Sequence, residues 1–459
     1  MTVVSTLFFG ILGLGIIVFV HELGHFIAAK ASGIVVEVFS LGWGRRLAGF
    51  TRGSTMYQIA WIPIGGYCKM KGEMLRGDMS DEKLAALRAE PGSFLAAPPW
   101  RRIVVAAAGP AANFAFAVLV LTLIWWLGFR IHSSDGRIIL ASEYERTAAA
   151  YPADKAGLQT GDRIVAIDGR PVQSFWEISE TVRRSADRSL RLSVERAGAR
   201  LSLTVVPDRD AESRLGRIGV YAWVEPRVGR VEPDSPAERA GLRSGDLITA
   251  VNDTPVPHDL AFYTALEAHF ASGGEPARVA YHRGGEQKTA TLARDGSAGA
   301  RIDLGLQFAQ RVYRSPRLGL ADSLATGLQR TGEIVGMSIS GLRQLLHMRD
   351  RKLDEVVAGP IRITRMVGEA AVFGFRLGVG EGLVAFFQFV ALLSIAIAIM
   401  NLLPLPALDG GLIVISAAEA VSRRRLGPRL LWRFQIIGTI VVFGLIFLAV
   451  ASDILFYVG

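Results

Sequence analysis

Four long apolar runs without a charged residue constrain this chain more than any other feature. A helix needs about 20 predominantly apolar residues to cross the hydrocarbon core of a bilayer. Only 20% of the 459 residues are charged, whereas soluble domains carry about 25%. The sequence therefore predicts a polytopic α-helical membrane protein with four transmembrane helices, and it excludes a disordered chain. The runs are 3–20, 103–129, 382–408 and 434–452.

Basic residues in short loops predict the orientation of these helices, because such loops stay in the cytoplasm. Segment 30–102 holds eleven Lys or Arg, and four arginines lie between 423 and 429. Both segments should be cytoplasmic, which leaves both termini and the long segment after the second run outside. The first run lacks the basic start and the cleavage site of a signal peptide, so we expect it to be retained. The loop arginines also account for the net charge of +9, and no nucleic-acid partner is expected.

The long external segment contains an internal repeat. Residues 152–172 and 236–256 share eleven of 21 positions. In each copy Ala-Gly-Leu ends a short helix, Gly-Asp forms a turn, and an alternating strand begins. This pattern resembles PDZ domains, which predicts two inserted α+β domains at 130–215 and 216–312. A PDZ groove captures an extended peptide by strand addition, whereas a ligand-free pair would act as a steric plug, and both functions stay open.

Two further stretches, 316–347 and 356–376, have apolar residues near helical spacing but are interrupted by arginines. We expect amphipathic helices on the outer surface of the membrane between residues 313 and 380. Ordinary helical packing against the PDZ pair is the alternative.

The end of the first run carries a metal-binding motif. His21-Glu22-Leu-Gly-His25 is HExxH, and on a helix both histidines face the same side, so they can bind one Zn²⁺ with Glu22 beside it as general base. Ionisable residues in a membrane segment are costly and mark functional sites. The alternative is an interfacial cluster just past the helix end.

A catalytic zinc needs a third protein ligand and an open position for water. Asp409 follows the third run, and the predicted orientation brings the end of that run to the same, cytoplasmic, side as His21 and His25. Pro404 and Pro406 must interrupt the helix before it. The alternative is that Asp409 is only a turn residue in Asp-Gly-Gly.

HELGH in the first run, NLLPLPALDGG at the third and the repeat between them together resemble the site-2 protease family of intramembrane zinc metalloproteases. The likeness covers nearly the whole chain. It implies a zinc endopeptidase of the bacterial inner membrane, with periplasmic termini and PDZ domains, that acts in an envelope stress response. Its implied substrates are pre-trimmed single-span proteins, either anti-sigma factors or remnant signal peptides.

The predicted parts are transmembrane helix 1 (1–30), a membrane-associated β-hairpin region (31–102), transmembrane helix 2 (103–129), the PDZ domains (130–215, 216–312), the amphipathic helices (313–380), and transmembrane helices 3 (381–411) and 4 (431–457).

The resemblance also assigns residues. It implies that His21, His25 and Asp409 bind zinc and that Glu22 is the catalytic base. Asn401 would hydrogen-bond the substrate backbone, Asn113 would lie near the active site, and segment 54–70 would present an edge strand to substrate. A hairpin that only packs is the alternative for that segment. The predicted substrate-binding residues are Asn401, Asn113, Tyr57, Ile59, Gly65 and Gly66.

This chain departs from the family pattern at two positions. Ala396 replaces a second asparagine, and Leu412 replaces a histidine after Asp-Gly-Gly. Both leave the predicted zinc ligands intact, so an active enzyme is expected. The single cysteine, Cys68, excludes an intramolecular disulfide and is expected to be passive. A catalytically silent scaffold and a transporter built on broken helices are the alternative classes, although the membrane part shows no inverted repeat.

Overall fold

The structure, a computed structural model, describes residues 2–73, 81–145, 150–210, 213–273, 276–293, 302–347 and 359–458. It divides into a membrane unit, Met1–Phe129 with Ser315–Gly459, and an inserted unit, Arg130–Arg314. The helices are α1 (Thr2–Ala31), α2 (Asp81–Ala89), α3 (Pro99–Leu127), α4 (Pro152–Lys155), α5 (Phe175–Arg183), α6 (Pro236–Arg239), α7 (Asp259–Ala271), α8 (Leu320–His347), α9 (Pro360–Leu377), α10 (Val379–Asn401), α11 (Asp409–Ser422) and α12 (Pro428–Val458).

The strands are concentrated after α1 and in the inserted unit. They are β1 (Val36–Arg52), β2 (Thr55–Met70), β3 (Arg130–Ser133), β4 (Ile138–Leu140), β5 (Arg163–Ile167), β6 (Arg170–Pro171), β7 (Leu190–Arg196), β8 (Ala199–Val205), β9 (Asp208–Arg209), β10 (Gly216–Arg217), β11 (Val220–Ala222), β12 (Val228–Val231), β13 (Leu247–Val251), β14 (Thr254–Pro255), β15 (Ala277–Arg283), β16 (Glu286–Leu292), β17 (Leu306–Phe308) and β18 (Arg311–Arg314).

Four helices among the described residues are long and apolar enough to cross a membrane, as the sequence predicts. They comprise most of α1, all of α3 and α10, and most of α12. Helix α1 continues without a break to Ala31, so the HExxH motif is helical. The third predicted span is shorter than expected, because α10 ends at Asn401 and a separate helix begins at Asp409.

Close backbone approach at glycines joins the membrane helices. A Cβ on Gly24 of α1 would lie 2.3 Å from the carbonyl oxygen of Ala108 on α3. A Cβ on Gly10 would lie 2.2 Å from the carbonyl oxygen of Thr364 on α9. Small residues of this kind let helices pack tightly where lipid removes the hydrophobic driving force. The glycines of α1 therefore bring α3 and α9 into close backbone contact with it.

The two predicted amphipathic helices, α8 and α9, both pack along transmembrane helices. A Cβ on Gly327 of α8 would lie 2.5 Å from Oγ1 of Thr122 on α3. Each helix has an arginine paired with a carboxylate: Nη1 of Arg330 lies 2.9 Å from Glu333 Oε2, and Nε of Arg362 lies 2.9 Å from Asp453 Oδ1. Charged side chains with such partners can be held against a span without facing lipid.

The β1–β2 hairpin has four segments rather than two simple strands. β1 pairs with β2 along two different stretches, so the segments lie in the order 46–52, 55–62, 36–43 and 66–70. Segments 46–52 and 66–70 each have a single neighbour among the described residues and are therefore the two open edges of the hairpin. Large apolar side chains are exposed on the hairpin, namely Trp43, Leu47, Phe50, Ile59, Trp61 and Ile62.

The inserted unit contains two modules of the same construction. Each has a four-stranded antiparallel sheet, β6-β5-β7-β8 in the first and β14-β13-β15-β16 in the second. The aspartate of each Gly-Asp turn is buried and accepts two hydrogen bonds from an arginine, Asp162 from Arg196 and Asp246 from Arg283, all at 2.7 Å. Burial raises the pKa of Asp246, but the hydrogen bonds from Arg283 and from the backbone N–H of Arg243, together with the charges of these two arginines, outweigh it and hold that pKa below its ordinary value.

Candidate metal centre

The helical HExxH motif places two imidazoles one turn apart on α1. Nε2 of His21 lies 3.1 Å from Nε2 of His25, and the two residues are only 8% and 7% exposed. A four-residue spacing puts side chains on the same face of a helix. The two ring nitrogens therefore converge on one buried point.

Asp409 completes this cluster from the first residue of α11. Its Oδ2 lies 3.0 Å from Nε2 of His21, and its Oδ1 lies 3.4 Å from Nε2 of His25. The chain reaches it through Ala407, which has a φ of 72°, a conformation that costs a residue with a side chain about 1–2 kcal/mol. The structure thus brings the three predicted zinc ligands within 4.8 Å of one another.

One face of α3 supports the two histidines. The carbonyl oxygen of Val105 lies 2.8 Å from Nδ1 of His25, and Nδ2 of Asn113 lies 3.3 Å from Nδ1 of His21. Between them, a Cβ on Gly109 would lie 2.4 Å from Nε2 of His25. These α3 residues are four apart, so they share a face and form the wall behind the imidazoles.

The donor set fits zinc. Two imidazoles and a carboxylate are ligands of catalytic zinc sites, which leave a fourth position for water. Oδ2 of Asp409 is buried and accepts no hydrogen bond from the described residues. An oxygen in that state, close to two converging ring nitrogens, fits a cation bound among the three side chains.

Glu22 lies between the metal-binding cluster and one open edge of the hairpin. The backbone N–H of Cys68 donates a hydrogen bond to its carboxylate, and a Cβ on Gly66 would lie 3.7 Å from its Cγ. Segment 66–70 therefore runs past the residue predicted to be the general base.

The other predicted substrate-binding residues differ in position. Tyr57 pairs with both Phe39 and Phe50, and Ile59 is likewise paired on both sides, so their backbones have no free edge for a substrate. Nδ2 of Asn401 donates to the carbonyl oxygen of Ile397 at 3.1 Å, at the end of α10.

Two supporting groups were not predicted from the sequence. The carbonyl of Val105 is a backbone atom and leaves no signal in a side-chain pattern. Ser394 of α10 donates to the carbonyl oxygen of Asn113 at 3.2 Å and is fully buried. Ser394 is one of three polar residues inside the apolar run 382–408, with Gln388 and Asn401, and this was the available signal, since such residues usually bond across helices.

Comparison with known proteins agrees with this geometry. The model of peptidase family M50 matches residues 9–447. The chain belongs to peptidase family M50. It is a membrane zinc metalloprotease of the site-2 protease type.

Relatives of this M50 peptidase match along nearly their full lengths. A protein of Treponema pallidum (strain Nichols), provisionally named a zinc metalloprotease, is 36% identical over 429 residues and is covered, like this chain, to 94%. The regulator of sigma-E protease RseP of Salmonella typhimurium (strain 14028s / SGSC 2262) is 29% identical over 464 residues, which are 96% of this chain and 97% of RseP.

Proposed function

We propose that this M50 peptidase hydrolyses peptide bonds within transmembrane segments, with zinc held by His21, His25 and Asp409 and with Glu22 as general base. The observation that carries the proposal is the convergence of those three ligands within 4.8 Å. They come from two distant parts of the chain, and both parts adjoin membrane-spanning helices. A catalytic site that is built from residues next to membrane-spanning helices acts on substrates that are themselves in the membrane.

Zinc held by His21, His25 and Asp409 would supply a Lewis acid for the scissile carbonyl and would lower the pKa of water. Glu22 takes a proton from the attacking water and delivers it to the leaving amine. Its contact with the N–H of Cys68 holds the carboxylate beside the open strand edge. The buried walls formed by α1, α3 and α11 keep bulk water away from the reaction.

The open edge at 66–70 is the proposed site of substrate backbone binding. A substrate helix must unwind before attack, because its amides are bonded to one another. Strand addition offers the unwound segment new backbone partners. Of the two open edges of the hairpin, 46–52 and 66–70, segment 66–70 is the one that contacts Glu22. Gly65 and Gly66 lie where that edge begins. Tyr57 and Ile59 lie on a segment that is paired on both sides, so their backbones offer no edge to substrate. Asn401 contributes a side-chain amide at the end of α10.

We propose that the two inserted modules are PDZ domains and that they face the periplasm of a bacterial inner membrane. The repeated aspartate–arginine construction supports a duplicated domain. The relative named RseP supports substrates of the anti-sigma-factor type, together with remnant signal peptides, in an envelope stress response. The exposed apolar side chains of the β1–β2 hairpin support its association with lipid.

The test is proteolysis of a single-span substrate with a shortened ectodomain, reconstituted in liposomes with the purified protein. Wild type is compared with Glu22→Gln, and bound zinc is measured in both. We expect wild type alone to cleave and both proteins to contain zinc, because glutamine removes the base and leaves the ligands.

Two results would contradict the proposal. Equal cleavage by Glu22→Gln would remove Glu22 from the reaction. Absence of zinc and of cleavage in wild type would leave only a membrane scaffold.

A further inference from the structure

Asn113 is a buried polar side chain that contacts Nδ1 of His21, the ring nitrogen that does not face the other two predicted ligands. It is 0% exposed, and its amide nitrogen lies 3.3 Å from Nδ1 of His21. Its amide oxygen has no hydrogen-bond partner among the described residues. A buried amide with one unsatisfied end is costly and calls for a physical reason.

The neighbouring His25 shows how a ligand imidazole is prepared. The carbonyl oxygen of Val105, 2.8 Å from Nδ1, can only accept a hydrogen bond, so Nδ1 must carry the proton. In the neutral ring, Nε2 of His25 then carries a lone pair, which faces Asp409. A metal-binding histidine needs this tautomer, and the acceptor behind it fixes both the tautomer and the ring plane.

Asn113 can do the same for His21 in only one of its two orientations. With the nitrogen toward His21, the amide donates to Nδ1 and forces the proton onto Nε2, which then cannot bind a metal. Rotation of the amide exchanges its ends and turns the oxygen toward Nδ1. Nδ1–H then donates to that oxygen, and Nε2 is free to face Nε2 of His25 at 3.1 Å.

We propose that Asn113 is a positioning residue whose amide oxygen accepts the Nδ1 proton of His21 and so directs the Nε2 lone pair at zinc. This inference rests on the proposed assignment of His21 as a ligand. It replaces the sequence-based expectation that Asn113 touches substrate, because a fully buried side chain behind an imidazole is screened from substrate by that ring. Ser394 fixes the backbone of Asn113 from α10.

The test is zinc affinity, measured by competition with a chelator on the purified full-length protein in detergent. Asn113→Leu removes the acceptor at similar volume and should weaken zinc binding about 10–100-fold, the usual effect of losing such a partner. Asn113→Asp retains an acceptor and cannot donate, so it should bind zinc with an affinity close to that of wild type. Thr122→Val removes a side-chain hydrogen bond on the same helix, from Thr122 Oγ1 to the carbonyl oxygen of Val118, and should leave zinc affinity unchanged.

The outcomes separate this inference from the proposed function. Wild type without stoichiometric zinc would overturn the ligand assignment itself. Wild-type zinc affinity in Asn113→Leu, with proteolysis lost, would make Asn113 a substrate contact and overturn the inference. If Asn113→Leu does not fold, Asn113→Asp decides alone, since loss of zinc there would mean that the side chain acts as a donor.

Discussion

At the scale of single residues, the metal centre depends on a position where no side chain is present. Gly109 lies on α3 beside the Nε2 atoms of both imidazoles, and a Cβ there would lie 2.4 Å from Nε2 of His25 and 2.8 Å from Nε2 of His21. Real Cβ atoms do not approach other atoms this closely, so one imidazole would have to rotate away. Any other residue at this position competes with the metal for the same space.

Gly109→Ala should therefore abolish stoichiometric zinc binding and proteolysis while the membrane helices stay folded. Zinc content of the purified variant and its helical circular dichroism are the measurements. Gly332→Ala on α8 is the matched control, because a Cβ there meets nothing within 4 Å, and both properties should stay at wild-type values. Normal zinc content in Gly109→Ala would show that the imidazoles are placed differently.

The sequence predicts the ligands better than their supports, for a physical reason. HExxH is local, and the spacing of four residues on a helix is enough to bring His21 and His25 together. Asp409 follows from the orientation of the spans. Val105 acts through a backbone carbonyl and Asn113 acts through another residue, so their roles depend on how α3 packs against α1, which no local pattern encodes.

At the scale of elements, a buried ion pair fixes α11, the helix that begins with Asp409, against α3. Arg102 of α3 donates to Oε2 of Glu419, and Oε1 of Glu419 accepts from the backbone N–H of Leu426 at 2.8 Å. Arg102 and Glu419 are each only 4% exposed. The pair joins the helix that carries Asp409 to the helix that supports the histidines.

Breaking this pair should loosen the metal centre from a distance. Glu419→Gln leaves the Arg102 charge buried, and removal of one partner of a buried pair costs about 3–5 kcal/mol. We expect a lower midpoint of thermal unfolding in detergent and weaker zinc binding. The double variant Arg102→Met/Glu419→Leu removes both charges and should recover most of the midpoint, whereas an unchanged midpoint in Glu419→Gln would contradict the coupling.

Helix α11 itself was not predicted, although the span before it was. Gly410 and Gly411 indicate a turn in the sequence, and the two prolines indicate a break. In the structure the glycines allow close packing of the helix start on the preceding loop, since a Cβ on Gly410 would lie 2.1 Å from the carbonyl oxygen of Leu403. Gly410 and Gly411, which indicate a turn in the sequence, thus form the start of helix α11. The packing partner of that helix, α3, lies far away in sequence.

At the scale of the whole molecule, the inserted unit leaves and rejoins the membrane unit at one point. Ser315 N–H donates to the carbonyl oxygen of Phe129 at 2.9 Å, and Phe129 N–H donates to Oγ of Ser315 at 2.8 Å. The next residues on each side form the antiparallel pair β3–β18. The internal repeat predicted the two modules because its two copies, 152–172 and 236–256, align over 21 residues without a gap. The junction joins residues that are far apart in sequence, so no local pattern predicts it.

Steric exclusion of bulky substrates is one of the two functions that the sequence leaves open for the inserted unit. In the proposed orientation that unit is periplasmic. A substrate with a folded ectodomain should therefore be cut at least about tenfold more slowly than the same substrate after trimming, a difference of about 1.4 kcal/mol in activation free energy. Initial rates in liposomes measure it, with Glu22→Gln as the background.

A matched pair of substrates separates size from sequence. Both carry the same ectodomain, but one has a substitution that unfolds it, so length and composition are equal. Exclusion by size predicts that the unfolded ectodomain permits faster cleavage than the folded one. If a PDZ groove instead captures the trimmed end, a free peptide copying that end should slow cleavage of the trimmed substrate, and folded and unfolded ectodomains should be cut equally slowly. Equal rates for folded and trimmed substrates, without inhibition by the peptide, would exclude both roles for the inserted unit.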